Sequence, residues 1–459
     1  MSIKAGFLVP HPPVIIPEIG KGRETALAKT ERQYNVVARR IAAIAPETVV
    51  LITPHSTVYS DYIHISPGKK AGGSLNSFGA GQQFETVYDG AFAKKLEELC
   101  VSARIPAGLA GESRPDLDHG VMIPLYFFGR FFGGFRLVRV SPAGLSREDH
   151  YRFGALIAEA SRELGRKTVV VASGDLSHRL SLEGPYGYSP EGPAFDREVC
   201  GIIASGDFSG LFELDEGLCD SAAECALLPL VMLAGALDGK ELRCGLLSYE
   251  APLGVGYAVA AFENTGDNPK RRFLEQRMSA SRSLLQRLRE NEDDYVRLAR
   301  EALESQVRTG SPSPPHNILA DELSRGQAGV FVTIKRHGQL RGCIGTISPA
   351  HPSLAEEIRA NAVSAGISDP RFSPVTEEEL PELVYTVDVL FSPEPATPEE
   401  LDPARYGIIV SSDRKRGLLL PGLENIDTVK EQLAIAINKA GIPEGKPYRL
   451  ERFEVVRHK

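Results

Sequence analysis

The chain predicts an α/β protein built in two parts. From Ile3 to Phe262, apolar runs of strand length alternate with amphipathic helical stretches; from about Asp294 onward, paired strands mix with helices in a more compact α+β pattern. Length points the same way, because 459 residues exceed the size at which a single hydrophobic core usually stops growing. We place one domain at residues 1–263, a linker and helix at 264–292, and a second domain at 293–459.

The elements follow in order. Residues 5–9 are an apolar run stopped by Pro10, residues 23–44 carry a helical period, and residues 48–52 form a second, β-branched run. Residues 135–140, 147–164 and 168–172 repeat the strand, helix, strand alternation, and 257–262 closes it. Such alternation predicts a mainly parallel central sheet flanked by helices, with ligands beyond the carboxyl ends of the strands. The polar stretch 263–272 is rich in turn formers and marks the boundary. A charged helix follows to about Asn291, then a helix at 295–307, a Pro-rich loop at 311–315, and paired strands at 329–335 and 340–347. Further strands are expected at 384–391, 407–410, 417–420 and 452–456, with helices at 354–364 and 428–439.

Composition excludes several classes. A net charge of -8 argues against nucleic-acid binding through a broad basic surface, since neutralising phosphates needs clustered Lys and Arg. Six cysteines stand singly, without a C-x-x-C pair, which fits a reducing compartment. Pro10 and His11 interrupt the first apolar run before a signal-like region forms, and no stretch of about 18 apolar residues occurs. We therefore expect a cytoplasmic protein without a membrane span.

The chemistry concentrates at strand ends. His11 in Val-Pro-His-Pro-Pro, His55 in Thr-Pro-His-Ser, His178 in Ser-Gly-Asp-Leu-Ser-His and Glu250 in Ser-Tyr-Glu-Ala-Pro all follow apolar runs, and His119 sits in Asp-His-Gly. Prolines and glycines beside them fix loops of the kind that carry sites. Two histidines and one carboxylate from separate strand ends can form a facial set that leaves positions open on non-heme Fe(II). The other histidines, 64, 150, 316, 337, 351 and 458, read as surface or hydrogen-bonded residues. His64, alternating with Ile63 and Ile65, is expected on the less buried face of a strand.

These five stretches, in their order along the chain with Asp-His-Gly third, make residues 1–262 resemble the LigB-type class III extradiol ring-cleavage dioxygenases and the MEMO proteins that share their fold. The resemblance implies Fe(II), or another divalent transition metal, held by His11, His55 and Glu250. It also implies His178 as acid/base, His119 assisting, and a catechol-like aromatic substrate. Histidine suits that role because its ordinary pKa of about 6.5 lets it take and return a proton near neutrality. Asp175 is expected to orient an imidazole from behind. MEMO-type relatives share the Ser-x-Asp-x-x-His stretch without the full triad, so the same resemblance leaves open a metal-binding scaffold that cleaves no ring.

The second domain resembles the AMMECR family through Leu-Arg-Gly-Cys-Ile-Gly at 340–345, Asp-Pro-Arg-Phe at 369–372 and Gly-Leu-Leu-Leu-Pro at 417–421. A LigB-like domain fused to it is similar to the AmmeMemoRadiSam system proteins, which implies a radical SAM protein as partner. Gly342 and Gly345 would allow close backbone approach or unusual dihedrals around Cys343. Arg341 could bind an anion or lower the thiol pKa. A small residue packed under a tight loop is the equally weighted reading of Cys343, since no histidine is fixed beside it.

Overall fold

The computed structural model describes residues 3–112, 116–312, 321–336, 338–413, 415–423, 426–443 and 445–459. Two compact units, Met1–Met278 and Ser279–Lys459, divide it.

The strands of the first unit are β1 (Ile3–Val9), β2 (Thr48–Ile52), β3 (Ile63–Ile65), β4 (Lys70–Ser74), β5 (Gln83–Val87), β6 (Ala107–Gly108), β7 (Arg136–Ser141), β8 (Thr168–Ser173), β9 (Lys240–Glu250) and β10 (Tyr257–Asp267). Eight of them form one sheet in the order β6-β3-β7-β2-β8-β1-β10-β9, and β4 and β5 make a separate hairpin. At the centre β7, β2, β8 and β1 are parallel neighbours. Every residue of β2 and β8 is buried, as expected for Val-rich strands covered on both faces. Alternate side chains feed two cores. Leu8, Val50, Ile52, Val138 and Val170 pack on one side, and Phe7, Val9, Val49, Leu51 and Val169 on the other. Helices Arg147–Glu163 and Leu227–Ala236 cover the first face; Ala28–Ile44 and His119–Phe128 cover the second.

Three expectations change here. β10 continues past Phe262 to Asp267, pairing with β9 as far as Lys240, so the first half of the polar stretch 263–272 is strand. His64 is buried along with Ile63 and Ile65, so both faces of β3 are covered and neither is open. The helix expected over 23–44 begins as a 3₁₀ turn, Arg23–Leu27, before Ala28–Ile44.

In the second unit β11 (Gly329–Arg336), β12 (Gln339–Gly345), β13 (Leu383–Leu390), β14 (Glu394–Pro395), β15 (Gly407–Ser412), β16 (Lys415–Leu419), β17 (Arg449–Phe453) and β18 (Val455–His458) form two four-stranded sheets. Their orders are β12-β11-β13-β18 and β14-β17-β15-β16. The single strand expected at 452–456 is split at Glu454, where the chain leaves one sheet for the other: Phe453 pairs with Gly407 and Val455 with Leu390. Most of the expected Pro-rich loop, with His316, lies outside the described residues, as does His337. His150 is buried and hydrogen-bonded through both nitrogens, His351 is exposed, and His458 pairs with Asp293 and stacks on Tyr295. No helix among the described residues is long and apolar enough to cross a membrane.

Candidate metal centre

β9 is antiparallel to β10, which is antiparallel to β1, so β9 runs with β1, β2 and β8 and ends at the same edge of the sheet. His11 follows β1, His55 follows β2, Asp175 and His178 follow β8, Glu250 ends β9, and His119 opens helix His119–Phe128. The histidines converge. His11 Nε2 lies 2.9 Å from His55 Nε2. The His119 ring stacks on His55 at 4.3 Å and stands edge-on to His11 at 5.1 Å. Gly120 makes this approach possible, since a Cβ there would lie 2.4 Å from Thr53 Oγ1 at the end of β2.

A proline inside a helix sets the tautomer of His11. Pro124 has no N–H to give the carbonyl of Gly120, four residues earlier in the helix. That carbonyl instead accepts from Ser173 Oγ at 2.6 Å. Having donated its one hydrogen, Ser173 Oγ accepts from His11 Nδ1–H at 2.9 Å. The Nε2 lone pair of His11 is thereby turned toward His55, the arrangement a ligating histidine needs. Asp175 acts on the backbone instead: its Oδ1 accepts from the His11 main-chain N–H at 2.9 Å. The orienting role expected for Asp175 thus falls to Ser173.

The third ligand atom in the group is a thiol. Among the described residues, His11, His55 and Cys225 are the set whose donor atoms all lie within 4.8 Å of one another. Cys225 Sγ is 3.7 Å from His11 Nε2 and accepts from the Asp175 main-chain N–H at 3.2 Å. Tetrahedral bonds of about 2.0–2.1 Å to nitrogen and about 2.3 Å to sulfur would separate the donors by about 3.3 Å (N to N) and about 3.6 Å (N to S). The observed 2.9 and 3.7 Å fit a transition metal with little movement.

Glu250, expected as third ligand, does not join this group. Its Oε1 accepts from both the main-chain N–H and the hydroxyl of Thr30, each at 2.6 Å, which ties β9 to the start of helix Ala28–Ile44. β9 ends at Glu250, at the same edge of the sheet as the histidines, with its Oε1 held by Thr30.

Desolvation favours the neutral imidazoles, most strongly at buried His11 and less at His55, whose side chain is exposed. It pushes His11 well below its ordinary value, helped by the facing charges of His55, His119 and His178. It pushes His119 down to about 4 and lowers His55 and His178. The Cys225 thiol is raised well above its ordinary value, first by burial and then by the charge of Asp175, itself pushed up to about 7 by burial. A thiolate in this setting calls for a cation beside it.

His178 is near enough to be felt electrostatically by His11, but lies outside the ligand group. Its Nδ1 is buried without a partner, and its ring meets Tyr186 edge-on at 5.0 Å. Its loop is pinned by Asp196, which accepts from the Ser177 N–H at 2.8 Å and the Tyr249 hydroxyl at 2.6 Å.

In the second unit Arg341 and Cys343 lie within β12, paired with β11. Arg341 is committed to Glu379 through Nε and Nη2 at 2.7 and 3.0 Å, with both side chains largely buried. Cys343 Sγ is 3.3 Å from Thr333 Oγ1, and its N–H donates to Asp369, which Arg371 clamps. Gly342 and Gly345 serve close approach, not unusual dihedrals: a Cβ would lie 2.1 Å from the Ala365 carbonyl and 2.4 Å from that of Val330.

Ser173 and Cys225 escaped the sequence reading. Cys225 is a lone cysteine with no spacing signal; the one available hint was its place just before the apolar helix Leu227–Ala236.

Residues 5–260 match the family model described as the catalytic LigB subunit of aromatic ring-opening dioxygenase, and residues 296–458 match that of AMMECR1. The chain belongs to the LigB family. Its LigB domain is fused to an AMMECR1 domain. Protein CA_C1420 of Clostridium acetobutylicum is 40% identical over the whole of both chains. A Thermotoga maritima protein is 49% identical over 171 residues, 37% of this chain and 98% of its own. Among solved structures, PH0010 from Pyrococcus horikoshii covers 36% of this chain and 88% of its own at 35% identity and TM-score 0.34. JW3007 from Escherichia coli K12 covers 56% of this chain and 99% of its own at 17% identity and TM-score 0.40.

Proposed function

We propose that the LigB domain is a mononuclear metal centre of dioxygenase type, an oxidoreductase acting on a catechol-like substrate, with the AMMECR1 domain as a binding module. The supporting observation is the convergence of His11, His55 and Cys225 ligand atoms beside two imidazoles, His119 and His178, outside the ligand set. Iron(II) bound there would bring the diol together with dioxygen, the oxidant that ring opening consumes. His11 and His55 would hold it through Nε2, and Cys225 through Sγ. His178, neutral at pH 7 with Nδ1 unspent, would accept a catechol proton and return it; His119 would keep a neutral face toward the ring.

A second reading has its own support: with Glu250 engaged by Thr30, the donor set is His, His, Cys, and softer metals such as copper or zinc suit it. In that reading the chain is a metal-binding scaffold working with a radical SAM enzyme and cleaves no ring. Anaerobic purification, metal analysis and oxygen uptake with a panel of catechols decide between them. Stoichiometric iron with catechol-dependent uptake supports the first reading, and copper or zinc without uptake supports the second.

A further inference from the structure

We propose that Asp118 is the charge partner of the metal centre, a positioning residue whose carboxylate favours a divalent over a monovalent ion there. This deepens the reading above and rests on the centre taking a metal.

An Asp just before a helix ordinarily caps it, its carboxylate accepting a main-chain N–H of the first turn. Asp118 holds that place before helix His119–Phe128, yet its side chain makes no capping bond. The carboxylate turns to the end of β2 instead, where Oδ1 accepts from Thr53 Oγ1 at 2.6 Å. Thr53 Oγ1 in turn accepts from the His55 main-chain N–H at 3.3 Å. One carboxylate thus ties the loop of the ligand His55 to the start of the helix that carries His119, and the two rings stack at 4.3 Å. The space around it is closed, since a Cβ on Gly120 would lie 2.9 Å from Asp118 Oδ1.

The other oxygen faces a cation. Arg139 is buried in β7, with Nε donating to Ser66 Oγ at 2.7 Å and Nη1 to the Asp116 carbonyl at 2.6 Å. Its Nη1 lies 4.0 Å from Asp118 Oδ2, which is buried and accepts no hydrogen bond among the described residues. A charge screened so little by water acts on its surroundings. Burial lowers His55 and His119, and the Asp118 charge works against it at both rings. An anion that favours positive charge on these imidazoles favours it on a metal bound beside them for the same reason.

The balance of charge on loading decides which ion gains. A divalent ion that displaces the Cys225 thiol proton leaves the cluster one unit more positive, whereas a monovalent ion that does so leaves its net charge unchanged. Asp118 therefore stabilises the first and is nearly indifferent to the second.

The test is chelator competition, under anaerobic conditions, for zinc(II) and copper(I) on the full chain in wild type, Asp118→Asn and Asp118→Ser. Asn keeps the shape of the side chain and an oxygen for Thr53; Ser is shorter and a preferred helix cap, so the two variants differ in packing and share the lost charge. Both should bind zinc(II) about tenfold or more weakly, the range for groups behind metal ligands, with copper(I) affinity changed less than about threefold. Equal loss of the two ions would show that Asp118 acts through the fold alone, and wild-type zinc(II) affinity in either folded variant would also overturn its role while leaving the centre standing. If wild type binds neither ion, the centre itself fails, and the role of Asp118 with it.

Discussion

Replacing Cys225 by Ser tests the donor set most sharply. Ser keeps the size of the side chain and a hydrogen-bonding group for the Asp175 N–H, but offers a neutral hydroxyl where a thiolate would stand 3.7 Å from His11 Nε2. Residues behind the ligands typically change affinity by 10–100-fold, so loss of a ligand should cost at least about 100-fold, or about 3 kcal/mol. With free metal at about 100 times the wild-type Kd, bound metal stabilises the wild type by about 3 kcal/mol and the variant by less than about 0.5 kcal/mol. At about 2–4 °C per kcal/mol for a domain of this size, the metal-induced rise in Tm should shrink by about 5–9 °C. Chelator competition and thermal melts with and without metal read both numbers. Wild-type affinity in Cys225→Ser, with loss in Glu250→Gln, would refute the reasoning and restore the carboxylate as ligand.

Ser173→Ala should lower metal affinity about 10–100-fold by leaving His11 Nδ1 and the Gly120 carbonyl unpaired, and unchanged affinity in chelator competition would break the proposed chain from Pro124 to His11. In metal-free protein, His119 binds a proton only near pH 4, against about 6.5 when unfolded, so the unfolded state binds more protons in that window and stability falls as pH drops through it. His119→Gln should remove about 2 kcal/mol of that fall between pH 7 and pH 4, after allowing for the ring's partial exposure, and parallel denaturation curves against pH would count against a depressed imidazole. Arg341→Ala should destabilise the second unit by about 3 kcal/mol, and a double-mutant cycle with Glu379→Ala should show strong coupling; additive effects would reopen Arg341 as a binding residue.

Much of the LigB domain was legible because its signals are local. β2 coincides with the run read from the sequence, since Val-Val-Leu-Ile between Thr48 and Thr53 is a fully buried parallel strand and little else. The strand ends then located His11, His55, His178 and Glu250 at one edge before any geometry was known. What stayed hidden depends on packing between distant segments. Cys225 reaches the centre through mutual bonds with Asp175, 50 residues away, and Ser173 acts only because Pro124 frees a carbonyl in a helix across the sheet. Local spacing also could not show that Thr30, 220 positions earlier, would bind Glu250 Oε1. His64 was misplaced because alternation separates two faces but does not show whether other segments pack over both. In the second domain Gly342 and Gly345 signalled close approach around Cys343, whereas the Arg341–Glu379 pair joins residues 38 positions apart and left no trace in local spacing.

The proposed centre is a metal held by two imidazoles and one thiolate. X-ray absorption at the edge of the bound metal, on the full chain loaded anaerobically, tests this directly. The expected spectrum has nitrogen scatterers at about 2.0–2.1 Å and one sulfur at about 2.3 Å, with the sulfur lost in Cys225→Ser. A shell of nitrogen and oxygen alone in the wild type, altered by Glu250→Gln, would contradict it.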